Sequence, residues 1–263
     1  MRIATWNLER PSLRSWKRLP RQRVRMAEVA ADIWVLTETR ASISPGEGYH
    51  ALHAPPHPAR PPDDDERWVS IWSRWPVRPS GVAADPRGAV SAVVETPHGE
   101  MVVYGTVLPW ANEKGDDGQA RMWQIHYAQI ERQAEDWCTL RELYPDLPLV
   151  VAGDFNQDRD GSGWYGTRRG RDLLTRALDD VDLSCATDED VVATGKLRAA
   201  HLVDHIAICR RWTNEADVRL SCWEQTDQDG THLSDHPTVA IDLHPTRPSA
   251  SRPSSTGASA AQP

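Results

Sequence analysis

Short apolar segments typical of buried β-strands recur from one end of the chain to the other, and few helical patterns separate them. The apolar segments lie at residues 2–6, 33–37, 68–73, 89–95, 101–108, 149–152, 201–209 and 238–243. Apolar residues at helical spacing occur at 21–31, 119–144 and 171–178. Because strands dominate both ends of the chain, we predict an α+β fold of packed sheets flanked by helices, not one doubly wound sheet.

The helical patterns also predict which side chains face the core. In the first helix the predicted inward residues are Val24, Met26, Ala27 and Ala30. In the longest helix, apolar residues recur every three or four positions from Trp123 to Tyr144, and Pro145 ends the helix because proline disfavours a helical residue before it.

The chain contains twelve tryptophans, which invite an interpretation as a stacking surface for bases or sugars. Most of them lie inside strand or helix patterns, where a large ring is normally buried. We therefore expect roughly three quarters to be buried or half-buried. Trp110 and Trp164 are the expected exceptions, because both lie in loops beside candidate site residues.

Charge and composition exclude several classes of protein. The net charge of −8 over 263 residues argues against a protein that coats polyanions non-specifically. No apolar run approaches the roughly 20 residues of a membrane span, and no signal-like stretch opens the chain, so we expect a cytoplasmic protein, monomeric by default. The four cysteines form no C-x-x-C pair, which favours buried free thiols over two disulfides or a zinc site.

The end of the chain differs in composition from the rest. Residues 245–263 are rich in Pro, Ser and Ala and contain no large apolar side chain. Such a segment cannot bury enough apolar surface to offset the entropy lost on ordering. We expect a disordered tail over 245–263, after a folded part that occupies 1–244.

Polar side chains stand at the ends of the apolar segments, where a packed fold tends to present its functional groups. They are Asn7, Glu38, Asp154, Asn156, Asp204, Asp235 and His236. Taken singly, each has a structural explanation as a turn former, a solvated carboxylate or a capping group. Taken together, carboxylates, carboxamides and one histidine at so many strand ends predict one convergent site.

The same segments resemble the endonuclease/exonuclease/phosphatase superfamily, which includes deoxyribonuclease I-like and exonuclease III-like nucleases. The matching segments are 3–7, 32–39, 153–156, 203–206 and 234–236, in the order of the superfamily. They span nearly all of the folded part. The resemblance implies a catalytic domain over 1–244, built as a four-layer α/β/β/α sandwich with the site at one edge of the paired sheets.

The resemblance also implies a role for each residue. Glu38, with Asn7 and Asp235, would hold Mg²⁺ or Mn²⁺, since hard cations prefer oxygen ligands. Asp154 would orient or deprotonate the attacking water, and Asn156 would contact the phosphate or Asp154. Asp204 would bond one nitrogen of His236, whose other nitrogen would reach a phosphate oxygen.

The chain departs from the superfamily pattern at one strand end. Many members place a His or Tyr on the phosphate there, and repair nucleases add an Asn. This chain has Val107 and Trp110 at these positions, which weakens an assignment to the abasic-site repair nucleases. Thr106, or a residue of the loop 112–121, is the candidate replacement.

Other residues are candidates for substrate contact. The loop after Asn156 and the helix start beyond it carry aromatic rings for stacking and guanidinium groups for phosphate. With Trp110, these candidates are Trp164, Tyr165, Arg168 and Arg169. A basic segment also follows Asn7 and contains Arg10, Arg14, Lys17, Arg18, Arg21, Arg23 and Arg25. We interpret it as a solvated helix face, with steering of phosphate as the alternative.

The sequence therefore predicts a metal-dependent hydrolase of phosphate esters, with a phosphodiesterase acting on nucleic acid as the first hypothesis. The first alternative is a phosphatase or phosphodiesterase for a small molecule or a lipid headgroup, which would use the same residues. The second is a phosphate-binding module without turnover, disfavoured because binding alone needs no carboxylate–histidine pair. Substrate specificity lies in the loops, so the fold does not decide among these.

Overall fold

A computed structural model describes residues 1–56, 65–83, 85 and 88–245. The helices and strands in chain order are β1 (Arg2–Asn7), α1 (Arg18–Val29), β2 (Ile33–Arg40), β3 (His50–His53), β4 (Glu66–Ser73), β5 (Val77–Pro79), β6 (Ala89–Thr96), β7 (Gly99–Val107), α2 (Gln124–Leu143), β8 (Leu149–Asp154), α3 (Arg168–Asp179), β9 (Leu183–Cys185), β10 (Asp204–Cys209), α4 (Arg210–Glu215), β11 (Ala216–Trp223) and β12 (Thr238–Pro245). The predicted disordered tail lies outside the described residues, apart from Pro245.

The described strands form two mixed sheets of six strands each. The first sheet has the order β11-β12-β1-β2-β4-β3, and the second has the order β5-β6-β7-β8-β10-β9. β1 and β2 run parallel, as do β7 and β8, and the other pairs are antiparallel.

Alternate side chains of the inner strands pack on opposite faces of each sheet. Ile3 and Val35 of the first sheet share a buried layer with Val150 of the second. On its other face the first sheet packs against α1, and the second sheet packs against α2 and α3. The four layers are therefore helix, sheet, sheet and helices, which confirms the predicted α+β sandwich. Burial on both faces explains why the inner strands read as continuous apolar runs.

Four strands were not predicted, and all four lie at the edges of the two sheets. They are β3, β5, β9 and β11. An edge strand has a neighbour on one side only and is less deeply covered, so its sequence lacks a continuous apolar run. The inner strands all follow predicted segments, although their ends differ by a few residues.

The inward face of α1 differs from the prediction. Val24 is 56 % exposed, and Ala27 and Ala30 are exposed too, whereas Met26 is buried as predicted. Two polar residues occupy the inner face instead. The Gln22 amide donates to the carbonyls of Leu8 and Leu233, and the Arg25 guanidinium donates to the carbonyls of Glu224 and Thr226. The helix holds neighbouring loops through these bonds, which an apolar pattern does not reveal.

The start of α2 also differs from the prediction. The helix begins at Gln124, because Trp123 has a left-handed backbone (φ 68°) that cannot continue a helix towards residue 119. Its end at Leu143, two residues before Pro145, agrees with the prediction. Among the described residues, no helix has the length and apolar character needed to cross a bilayer.

The tryptophans and cysteines mostly follow expectation. Trp110 and Trp164 are exposed as predicted, but Trp16 is exposed as well, on a turn before α1. All four cysteines are free, and the prediction that they are buried is wrong for Cys138.

Gly153 allows the closest approach of backbone in the second sheet. Its φ is 138°, and a Cβ atom placed on it would lie 1.9 Å from the carbonyl oxygen of Thr106 in the neighbouring strand. Neither backbone can move without breaking the pairing of β7 with β8. A residue other than glycine is therefore not tolerated immediately before Asp154.

Gly153→Ala should lower the free energy of unfolding by about 3 kcal/mol or more, because it adds a clash with backbone to an unfavourable φ. Urea denaturation at neutral pH measures this loss. Gly48→Ala is the matched control: Gly48 also has a positive φ (77°), but a Cβ atom there meets nothing within 4 Å. Its free energy of unfolding should fall by only about 1 kcal/mol, the cost of a non-glycine residue with a positive φ. Equal losses in the two variants would contradict the clash.

Candidate active site

Three strand ends and one strand start meet at one edge of the paired sheets. β1 ends at Asn7, and its parallel neighbour β2 carries Glu38 near its end. In the second sheet β8 ends at Asp154, which pairs in register with Asp204 at the start of β10. The turn before β12 brings His236 to the same edge. The seven residues predicted from the strand ends thus lie together.

Asn7 connects the two sheets. Its Nδ2 donates to Oε1 of Glu38 at 3.2 Å and to Oδ2 of Asp154 at 3.1 Å. Its Oδ1 accepts from the backbone N–H of Glu9 at 2.8 Å. The Asn7 oxygen that we expected to face a cation is therefore used in a local turn, and the amide nitrogen holds two carboxylates in place.

Asp154 is buried and accepts three hydrogen bonds. Besides Asn7, the backbone N–H and the side-chain amide of Asn156 donate to its two oxygens, at 2.8 and 3.1 Å. Burial raises the pKa of Asp154 to about 7, with the negative charge of Asp204 acting in the same direction and His236 opposing it. A carboxyl with this pKa can hold or release a proton near neutral pH.

Asp204 and His236 form a buried pair. His236 Nδ1 lies 2.5 Å from Oδ2 of Asp204. Burial alone would lower the pKa of His236, but the charges of Asp204 and Asp154 and the bond to Asp204 together raise it to about 10. At neutral pH the imidazole is therefore a cation that donates through Nδ1 and keeps its Nε2–H for another acceptor.

Glu38 is held by an arginine as well as by Asn7. Oε2 of Glu38 lies 2.9 Å from Nε of Arg10, and the Arg10 guanidinium lies 4.7 Å from the ring centre of Trp68. Glu9, Arg10 and Glu38 have positive φ angles of 54°, 47° and 44°. Non-glycine residues adopt this conformation at a cost, and such residues cluster at functional sites.

The residues proposed for substrate contact separate into two groups. Trp110, Trp164 and Tyr165 line the cleft that contains Asp154 and His236. The two arginines lie elsewhere. Arg168 is 92 % exposed and pairs with Asp172, and the guanidinium of Arg169 stacks 4.6 Å from the ring centre of Tyr127. The structure does not bring them to the cleft.

The departure from the superfamily pattern is not compensated by Thr106. Its side chain is buried on the far side of β7 and donates to Gln133 at 2.6 Å, towards α2. Val107 lines the cleft and pairs in register with Asp154. The 112–121 loop contributes Glu113 and Asp116 to the cleft, so carboxylates stand on that side of it.

Much of the basic segment after Asn7 is engaged in intramolecular contacts. Arg10 pairs with Glu38, Arg18 with Glu9, and Arg21 with Asp227 and Asp229, while Arg25 caps backbone carbonyls. The interpretation as a solvated helix face is therefore wrong for Arg18, Arg21 and Arg25, whereas Arg23 is exposed on α1 as expected. These contacts tie the segment to loops that surround the site.

His205 lies next to Asp204 in sequence but on the opposite face of β10. Its Nε2 donates to the Gln157 carbonyl at 3.1 Å, and its Nδ1 accepts from the Thr187 hydroxyl at 2.9 Å. Burial, with Arg159 as the second cause, lowers the pKa of His205 to about 3. This neutral, buried histidine has a structural role and holds the chain that follows Asn156.

Sequence reasoning missed two contributors to the site. Arg10 was grouped with its basic neighbours, although its position three residues after Asn7 was a signal. His201 lines the cleft, with Nδ1 3.0 Å from Oδ2 of Asp160. A lone histidine before a strand carries no signal of its own in the sequence.

The donors at this edge fit a divalent cation. Asp154 and Asp204 each offer a carboxylate oxygen, and these oxygens lie within 4.8 Å of each other and of a ring nitrogen of His236. Oδ1 of Asp204 is buried without a hydrogen-bond partner, so a buried carboxylate oxygen is left for a cation. With Glu38 and Asp235, the site contains four carboxylates, and hard cations prefer such oxygen ligands.

A comparison with protein-family models gives no match, and a comparison with curated protein sequences gives none. Solved structures give clear matches. A 3′ phosphatase from Neisseria, solved with a product DNA hairpin, is 18 % identical with a TM-score of 0.65, and covers 92 % of this chain and 99 % of its own. An AP endonuclease from Archaeoglobus fulgidus is 15 % identical with a TM-score of 0.63, covering 92 % and 99 %.

A third match carries the superfamily name. It is an endonuclease/exonuclease/phosphatase from Beutenbergia cavernae, 18 % identical with a TM-score of 0.58, covering 93 % of this chain and 71 % of its own. The chain therefore has the deoxyribonuclease I-like fold of the endonuclease/exonuclease/phosphatase superfamily, as the sequence resemblance implied.

His205 should make the protein less stable as the pH falls below about 6.5. The unfolded chain then binds a proton that the folded chain rejects until about pH 3, so stability is lost as the pH falls through this window. One such group costs about 1.4 kcal/mol per pH unit. Urea unfolding at each pH measures the effect. Between pH 6.5 and 5 the free energy of unfolding of His205→Gln should fall less steeply than that of the wild type, by up to about 1.4 kcal/mol per pH unit. Parallel curves would show that His205 does not titrate as a buried group.

Proposed function

We propose that this protein is a divalent-metal-dependent phosphodiesterase that hydrolyses its substrate by attack of an activated water. The observation that carries the proposal is the buried cluster of Asp154, Asp204 and His236, joined to Glu38 through Asn7. A purely structural cluster would not bury two carboxyl groups and an imidazole at an open cleft, with the pKa values of Asp154 and His236 both raised.

Asp154 is the proposed base. Its oxygens are fixed by three N–H donors, and its pKa of about 7 allows it to take a proton from water at neutral pH. Proton transfer to a positioned group of this kind accelerates hydrolysis by about 10²–10⁴-fold. The two hydrogen bonds from Asn156 fix the orientation of the Asp154 carboxylate.

His236 is the proposed electrophile. Its Nδ1–H donates a hydrogen bond to Asp204, which fixes the orientation of the ring, and its Nε2–H can donate to a phosphate oxygen. The positive charge kept by the raised pKa opposes the negative charge that develops as water attacks. Val107 contributes no such donor, so more of this stabilisation falls to His236.

Glu38 and Asp235, with the unpartnered Oδ1 of Asp204, are the oxygen donors that would hold the cation, and Mg²⁺ or Mn²⁺ suits such ligands. When bound, such an ion supplies positive charge to a phosphoryl oxygen. Asp235 has a largely exposed side chain, with Oδ1 3.8 Å from Nε2 of His236. It is free to turn towards a ligand, whereas Asp154 is not.

Nucleic acid is the proposed substrate class, supported by the fold shared with an enzyme solved with a DNA hairpin product. The alternative is a small-molecule or lipid-headgroup phosphate ester. The acidic loop residues Glu113 and Asp116 in the cleft favour it, because they would repel a polyanion.

Asp154→Asn should lower kcat by about 10²–10⁴-fold while the protein stays folded, because the amide keeps the shape but cannot take a proton. Hydrolysis would be followed with Mn²⁺, and with EDTA as a blank, on bis-p-nitrophenyl phosphate, DNA and RNA oligonucleotides, and an inositol polyphosphate. Asp172→Asn, which changes an exposed carboxylate outside the cleft, is the matched control. Full activity of Asp154→Asn would contradict its role as base.

Arg10 occupies one of the two oxygens of Glu38. Glu38 cannot bind both the guanidinium and a cation through that oxygen, so Arg10 weakens cation binding by competition and by charge. The side chains are partly exposed, 47 % for Arg10 and 20 % for Glu38. The Arg10–Glu38 ion pair therefore weakens the free energy of cation binding by no more than about 1 kcal/mol.

Arg10→Gln should therefore lower the dissociation constant for Mn²⁺ by up to about fivefold, the equivalent of that free energy. Isothermal titration with Mn²⁺ at constant ionic strength measures it without turnover. Arg14→Gln removes an equal charge from an exposed position in the same segment and should leave the constant unchanged. A weaker or unaltered affinity in Arg10→Gln would rule out the competition.

A further inference from the structure

The cleft around the candidate active site has a volume of about 1220 Å³, and the charges of its lining are unusual for a protein that binds a polyanion. Among the described lining residues the carboxylates are Glu38, Asp85, Glu113, Asp116, Asp154 and Asp235. Among the same described residues they face only two guanidinium groups, Arg10 and Arg132, and the cationic imidazole of His236. Arg10 is already paired with Glu38. Binding to this lining cannot depend on neutralising many phosphates.

Trp164, stacked on His201, offers an aromatic surface to which a substrate could bind without charge. The indole of Trp164 is 59 % exposed and lines the cleft that contains His236. It stacks on the His201 imidazole, with ring centres 5.5 Å apart and planes at 23°. Asp160 holds that imidazole through a 3.0 Å contact and is itself only 4 % exposed at its side chain. One face of the indole is therefore supported, which leaves the rest of the ring available to a ligand.

The loop that carries Trp164 is fixed to the rest of the fold by Asp158 and Tyr165. The buried carboxylate of Asp158 accepts from Arg171 at 2.9 Å and from the backbone N–H of Tyr165 at 3.3 Å. The Tyr165 ring in turn packs edge-on against Trp123, 5.3 Å away between centres. A fixed indole loses little freedom when a second ring stacks on it, which is what an efficient stacking surface requires.

We propose that Trp164 is a platform for an unpaired nucleobase, so that this site takes single-stranded rather than duplex nucleic acid. The inference rests on the proposed function and names its substrate class. Stacking of a base on an aromatic side chain contributes about 1–3 kcal/mol and does not need a basic surface. A duplex hides its bases and presents two phosphate strands, which the carboxylates of the cleft repel.

Binding is tested apart from turnover. A fluorescently labelled DNA 12-mer, its RNA equivalent and the DNA duplex would be titrated in Mn²⁺ with the Asp154→Asn protein, and anisotropy would be recorded. Adding Trp164→Ala should weaken single-strand binding by about tenfold, Trp164→Phe should restore most of it, and Trp16→Ala, an exposed indole outside the cleft, should change nothing. The DNA and RNA arms show which sugar the platform accepts.

The salt dependence gives a second readout. With at most three cations among the described lining residues, Arg10, Arg132 and His236, log K for single strands should fall with log [salt] with a slope no steeper than about −2. Tighter binding of the duplex, a slope of −4 or steeper, or unchanged single-strand affinity in Trp164→Ala would each overturn the platform. Failure of the wild type to hydrolyse any phosphodiester, with these binding results intact, would instead overturn the proposed function.

Discussion

The hydrogen bonds of Asn7 to Glu38 and Asp154 join two sheets that have no strand in common. They form only because the apolar layer between the sheets sets their separation, with Ile3 and Val35 facing Val150. The site is thus a consequence of sheet packing. A change in the volume of that layer would move Asn7 relative to Asp154, and with it the relation of Glu38 to the proposed base.

Charge burial at the same edge makes the site costly for the fold. Asp154 and Asp204 are buried side by side, and His236 is the cation that accompanies them. Removing charges from water is unfavourable unless partners compensate, and Oδ1 of Asp204 lacks one. The left-handed backbone at Glu38 and Asn156 adds to this cost. Both features are those of a site in which stability is given up for chemistry.

The inner strands and the convergence of the strand-end residues were predictable because both arise from local pattern: apolar residues on two covered faces, then a polar residue where the strand ends. The edge strands β3, β5, β9 and β11 were not predictable in this way, since they are covered less. The inner face of α1 was missed for a related reason. Gln22 and Arg25 are buried through bonds to distant loops, and the sequence around them gives no sign of those partners.

The same limit applies to the cleft. The candidate catalytic residues come from strand ends, but the walls of the cleft come from loops, and loops decide what can approach the proposed base. Arg10, bound to Glu38 and stacked on Trp68, and Trp164, stacked on His201, were visible in the sequence only as a basic residue and an exposed ring. Only their contacts in the structure place these two residues at the cleft.

A cleft with many carboxylates and few cations can still hold a phosphodiester if the nucleobase is bound by stacking. Stacking needs no charge, and it would position the phosphate near His236. On this argument the acidic lining and the exposed indole of Trp164 would select the substrate together. The carboxylates would hold a cation and repel extended polyanions, and the indole would retain substrates whose bases are unpaired.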